Sequence, residues 1–142
     1  MDVLFELLGD DFDVDAALAG SPLRECATIW RRGEVIGRKH GICKNSSLNI
    51  WVGGDNDTEL EQQITEALEF LRTEAQEIHR LRKLPGVEVG RLRFGELWRE
   101  GIVARSPCLP AGLLLACGEL GIDIVLCQYL TAESREEDSK PI

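Results

Sequence analysis

The sequence predicts an α+β domain of ferredoxin-like type: a mainly antiparallel sheet of five or six strands with one long and two shorter helices. Three observations carry this. Leu48, Ile50 and Val52 alternate with Ser47, Asn49 and Trp51, the two-residue period of a half-buried strand. Leu60, Ile64, Leu68, Leu71, Ala75, Ile78 and Leu81 recur at three- and four-residue steps, the apolar stripe of a helix. Strand-like and helix-like segments are mixed along the chain rather than strictly alternating, which disfavours a parallel α/β sheet.

Taken in order, Val3–Leu8 is a short apolar run closed by Gly9-Asp10 and reads as a mostly buried strand. Asp13 is placed to cap a very short helix through Leu18, Asp15 adds negative charge at its positive end, and Gly20 and Pro22 stop it. Cys26–Trp30 is a second strand, residues 31–46 are a loop rich in Gly, Arg and Lys, and Ser47–Val52 is a third strand ended by Gly53-Gly54. The long helix is expected from Glu59 to Leu84, opened by a capping box of Thr58 and Glu61 and stopped by Pro85-Gly86. Glu59, Gln62, Gln63, Glu66, Glu69, Thr73, Gln76 and Arg80 form its water-facing side. Residues 87–104 read as one or two strands broken near Gly95, with Trp98, Ile102 and Val103 as apolar weight. Pro110 opens a helix ended by Gly121, and Ile122–Leu130, apolar on both faces, reads as a central strand. From Ala132 the chain turns charged, so residues 1–131 form one domain and 132–142 a solvated tail.

With 142 residues, 44% hydrophobic and 29% charged, the chain can bury one continuous core. Its 16 Lys and Arg against 25 Asp and Glu leave a net charge of −9, the wrong sign for coating nucleic acid. No apolar run reaches the roughly 20 residues of a membrane span, and MDVLFELLGDDFDVD lacks the basic start of a signal peptide. Five cysteines at irregular spacing make a poor disulfide framework. A cytoplasmic protein is expected, with Cys26, Cys117 and Cys127 buried in apolar segments and Cys43, in a basic loop, the most reactive thiol.

Gly9-Asp10-Asp11-Phe12-Asp13-Val14-Asp15, Trp30, the Leu48–Val52 strand, the long helix and the closing Leu120-Gly121-Ile122-Asp123-Ile124-Val125-Leu126 with Tyr129 resemble a bacterial family known as domain of unknown function 4279. The resemblance covers most of residues 2–130 and implies a compact bacterial domain; it carries no activity and no functional residue.

No constellation states a reaction. Asp11, Asp13 and Asp15 start like a calcium loop, but Ala16 and Pro22 stand where its glycine and its bidentate glutamate belong, so helix capping accounts for them. His40 and Cys43 are too few for a structural zinc site, since the other histidine, His79, lies on the long helix. No catalytic residue, metal site or cofactor is therefore assigned. Trp30, Trp51 and Trp98 read as core or partly buried; exposure would make any of them an interface anchor.

Charge is more informative. Six acids and no base precede Arg24, and Asp55, Asp57, Glu59, Glu61, Glu66 and Glu69 form a second acidic block without an intervening Lys or Arg. Residues 24–44 reverse the sign, with six bases against Glu25 and Glu34. Either acidic block alone is ordinary solubilising charge; two in one small chain are expected to make a docking surface for a basic partner. The candidate partner-binding residues are Asp55, Asp57, Glu59, Asp11, Asp13 and Asp15. The expected function is that of a non-enzymatic bacterial binding protein, an immunity protein neutralising a basic toxin domain. The alternative is a small-molecule-binding domain or minor enzyme using Cys43 and His40 of the 31–46 loop. Neither nucleic acid nor membrane is an expected partner; a homodimer is the other association considered.

Overall fold

The computed structural model describes residues 2–37, 41–53, 59–98, 101, 104 and 106–130. Strand β1 (Val3–Gly9) lies at the centre of a five-stranded sheet. It pairs antiparallel with β3 (Ser46–Val52) on one side and with β4 (Val89–Trp98) on the other. β2 (Ala27–Trp30) joins β3 antiparallel, and β5 (Asp123–Leu130) joins β4 parallel, giving the order β2-β3-β1-β4-β5. Helix α1 (Val14–Leu18) follows β1, α2 (Leu60–Thr73) and α3 (Ala75–Arg82) link β3 to β4, and α4 (Ala111–Leu120) links β4 to β5. The first four strands have the order and directions of the ferredoxin-like split βαβ pair, and α4–β5 adds one parallel crossover.

Alternation decides the layers. Val3, Phe5 and Leu7 of β1, Leu48, Ile50 and Val52 of β3, and Leu92 and Phe94 of β4 are buried under the helices. Leu60, Ile64, Ala67 and Leu71 of α2, Ile78 and Leu81 of α3, and Leu113 and Cys117 of α4 meet them, with the Phe5 and Phe70 rings 5.5 Å apart. Asp13 caps α1 as expected, its carboxylate accepting from the Ala16 N–H at 3.0 Å. Gly121 ends α4 in the left-handed conformation (φ 70°) that glycine tolerates. No helix among the described residues is long and apolar enough to cross a membrane.

Several expectations are corrected. The long helix is two helices, α2 and α3, parted at Glu74 (φ −105°, ψ 18°). Neither Pro nor Gly marks the break, and the apolar stripe runs across it from Leu71 to Ile78, which is why the periodicity reads as one element. β4 runs unbroken through Gly95, because the buried Gln63 amide satisfies that glycine's backbone: Gly95 N–H donates to Oε1 at 3.0 Å and Nε2 donates to Gly95 C=O at 2.7 Å. Gln63 is therefore core, not water-facing. β5 is an edge strand rather than a central one; Ile124, Val125, Leu126 and Cys127 are half-buried, Ile124 and Leu126 packing on the core beneath the helices.

Cys26 sits in an exposed 3-10 turn (Arg24–Cys26) and Cys43 is buried within a small hairpin, the reverse of expectation; Cys117 is buried and Cys127 half-buried. Trp51 and Trp30 are exposed (60% and 39%), because both stand on the sheet face without helices. The capping residue Thr58, Ile102, Val103 and the tail 132–142 lie outside the described residues.

Candidate functional site

Asp11, Asp13 and Asp15 are exposed, and each has a contact within the molecule. Asp13 is committed to the α1 cap. Asp15 receives a two-pronged contact from Arg31 (Nη2–Oδ1 2.6 Å, Nε–Oδ2 2.8 Å), and the same guanidinium holds Glu34 at 2.8 Å. Arg31 thereby keeps both carboxyls below the usual carboxylate range. Asp11 lies 3.7 Å from Arg32. Two arginines of the basic loop thus contact two acids of the first block, Asp15 and Asp11. Of the second block's candidates, Asp55 and Asp57 lie outside the described residues, and Glu59 occupies the N-cap position of α2 with an interaction of its own.

The 31–46 loop offers less to catalysis than its sequence proposes. Cys43 is 7% exposed, its N–H donating to Glu34 C=O at 2.8 Å and its C=O accepting from Gly33 N–H at 3.0 Å. His40 lies outside the described residues. Among the described residues no three His, Cys, Asp or Glu side chains gather as a metal site would require.

Carboxylates do converge along α2. β2 stops at Ala27, opposite Ile50, so Trp51, Val52 and Gly53 run on past the end of the edge strand. Between them, the Leu23–Cys26 turn and α2 lies a groove of about 320 Å³. Its apolar lining is Leu23, Ile50, Trp51, Val52 and Phe70. Glu66, Glu69 and Thr73, on one flank of α2 at helical spacing, and Glu74, just past its end, supply the polar side. Among the described residues no Lys or Arg lines it.

Gly53 shapes one end. It is at φ 94°, a conformation that favours glycine, and a Cβ there would have to displace the Glu66 carboxylate. Glu66 Oε1 accepts from Gln62 Nε2 at 3.3 Å, while Oε2 is buried and accepts no hydrogen bond from the described residues. An ionised oxygen withheld from water and from donors is costly, and a cationic donor entering the groove would relieve that cost.

No family model, curated protein or solved structure matches this chain. The functional reading rests on this geometry. Glu66 and Glu69 stood in the second acidic block of the sequence, but nothing there placed them opposite Leu23 and Trp51. Gly53-Gly54 was the available signal, read only as a strand end.

Proposed function

We propose that the protein is a non-enzymatic binding protein that docks a basic protein partner, as an immunity protein docks a cationic toxin domain. One observation carries the reading: the groove on α2 combines three carboxylates and an apolar floor with no cation among its described residues, the complement of an Arg or Lys side chain with its aliphatic stem. The net charge of −9 favours encounter with such a partner at long range. All five cysteines are free, which suits the reducing cytoplasm in which this reading puts the protein.

Binding of an Arg- and Leu-containing cationic peptide tests the proposal, comparing two double variants with the same change of charge. Glu69→Lys with Glu74→Lys should weaken binding about tenfold, mainly through slower association, and flatten its salt dependence. Glu88→Lys with Glu119→Lys, exposed and away from the groove, should change it less than about twofold. Equal losses from both pairs would reduce the effect to bulk charge and refute the groove.

A further inference from the structure

The helix-free face of the sheet holds a second groove of about 310 Å³, which shares only Trp51 with the acidic one. Leu4 of β1 and Gly95 of β4 form its floor. Pairing of β1 with β4 ends at Leu4↔Arg93, and glycine at 95 raises no side chain, so the face is dished at this point. Trp51 on β3 borders one side, and Cys127 and Tyr129 on β5 border the other. Three strand spacings separate β3 from β5, about 14 Å between backbones. Trp51 shares its row with Val125 through Leu4 and Arg93, and Tyr129 stands four residues further along β5, so the two aromatics bracket the groove diagonally and leave room between them for two fused rings. Both aromatics are open to solvent, Trp51 at 60% and Tyr129 at 37%.

Charge beside the floor comes from Arg91, Arg93 and Glu6, with Asp2 at the rim. Glu6, 6% exposed, presents the same oxygen, Oε1, to Arg91 Nε and Arg93 Nε, each at 3.1 Å. Two guanidinium groups thus share one carboxylate oxygen, and among the described residues neither has a carboxylate of its own there. Arg91 aligns for a hydrogen bond with Glu6; Arg93 Nε is off line, buried and without one. Arg93 is the residue that borders the groove, and Asp2 at its rim already has an interaction of its own.

We propose that this groove binds a flat aromatic carboxylate, its rings against Trp51 and Tyr129 and its carboxylate on the Arg93 guanidinium. Arginine matches a carboxylate with paired N–H donors, and aromatic walls favour a planar body. The site is independent of the basic-partner reading and uses the opposite charge.

Calorimetric titration of the full chain with 2-naphthoate and its neutral isostere 2-naphthamide tests it. Naphthoate should saturate one site and bind at least about tenfold tighter than the amide. Arg93→Gln should lower naphthoate to the level of the amide while leaving the amide unchanged. Trp51→Ala, at an exposed position that the core does not need, should weaken both probes. Glu69→Lys with Glu74→Lys should leave naphthoate binding within about twofold, which separates this site from the acidic groove. Absence of saturation, equal binding of acid and amide, or indifference to Trp51→Ala would each overturn the proposal.

Discussion

The last rung between β1 and β4 is Leu4↔Arg93, so Gly95 has no strand beside it on that side, and the Gln63 amide supplies both a donor and an acceptor in its place. Two buried backbone groups depend on this one side chain, which is itself fully buried. Gln63→Leu keeps the approximate volume but leaves the N–H and C=O of Gly95 unsatisfied, and should cost about 2–4 kcal/mol by urea denaturation. Gln63→Glu should also destabilise, because a carboxylate can accept from the N–H but has nothing to donate to the carbonyl. A Leu variant as stable as the wild type would show that the amide contributes nothing net. This residue also marks a limit of pattern reading. At three residues from Leu60 and four from Ala67 its position permits burial, but a polar amide on a helix flank reads as solvated until its partner in β4 is known.

At the scale of elements, α3 is tied to the segment around α1. Arg80 Nη2 donates to Ala17 C=O at 2.9 Å and its Nε to Glu77 Oε1 at 3.1 Å, while the Ser21 hydroxyl donates to Glu77 Oε1 at 3.0 Å. Arg80 holds the Glu77 carboxyl below the usual carboxylate range, with burial opposing and Ser21 assisting. A carboxyl whose folded pKa is depressed stabilises the fold above its unfolded value, about 4.3, and that contribution fades as pH falls through the lower folded value. Wild type should therefore lose more stability than Glu77→Gln between about pH 5 and about pH 3 in urea titrations; parallel losses would dismiss the tie. Elements with strong local signals were legible: the Asp13-capped turn, the alternating β3, the apolar stripe and the Pro110–Gly121 helix. The division at Glu74 was not, because an unbroken stripe reports which side is buried and not whether the axis continues. The edge position of β5 was also hidden, since cover from α4 makes an edge strand apolar. For the groove, local pattern supplied the acids but not the Leu23 turn that faces them.

The described residues form a four-stranded ferredoxin-like unit extended by one parallel strand, with β1 flanked along most of its length on both sides and β2 paired over only four residues. Protection should follow that arrangement. Native-state hydrogen exchange is expected to be slowest in β1, faster in β5 and fastest among the strands in β2. Protection of β2 equal to that of β1 would contradict this order of opening. The same arrangement gives the Gln63 contact a reach beyond its own hydrogen bonds. An amide gripping one residue of β4 from both its polar ends acts as a locating pin between two layers. α2 cannot slide by a turn along the sheet without pulling it out, nor roll without misaligning it. Glu66, Glu69 and Glu74 ride on or adjoin the pinned helix, so a contact wholly inside the protein indexes where its surface carboxylates stand against β3.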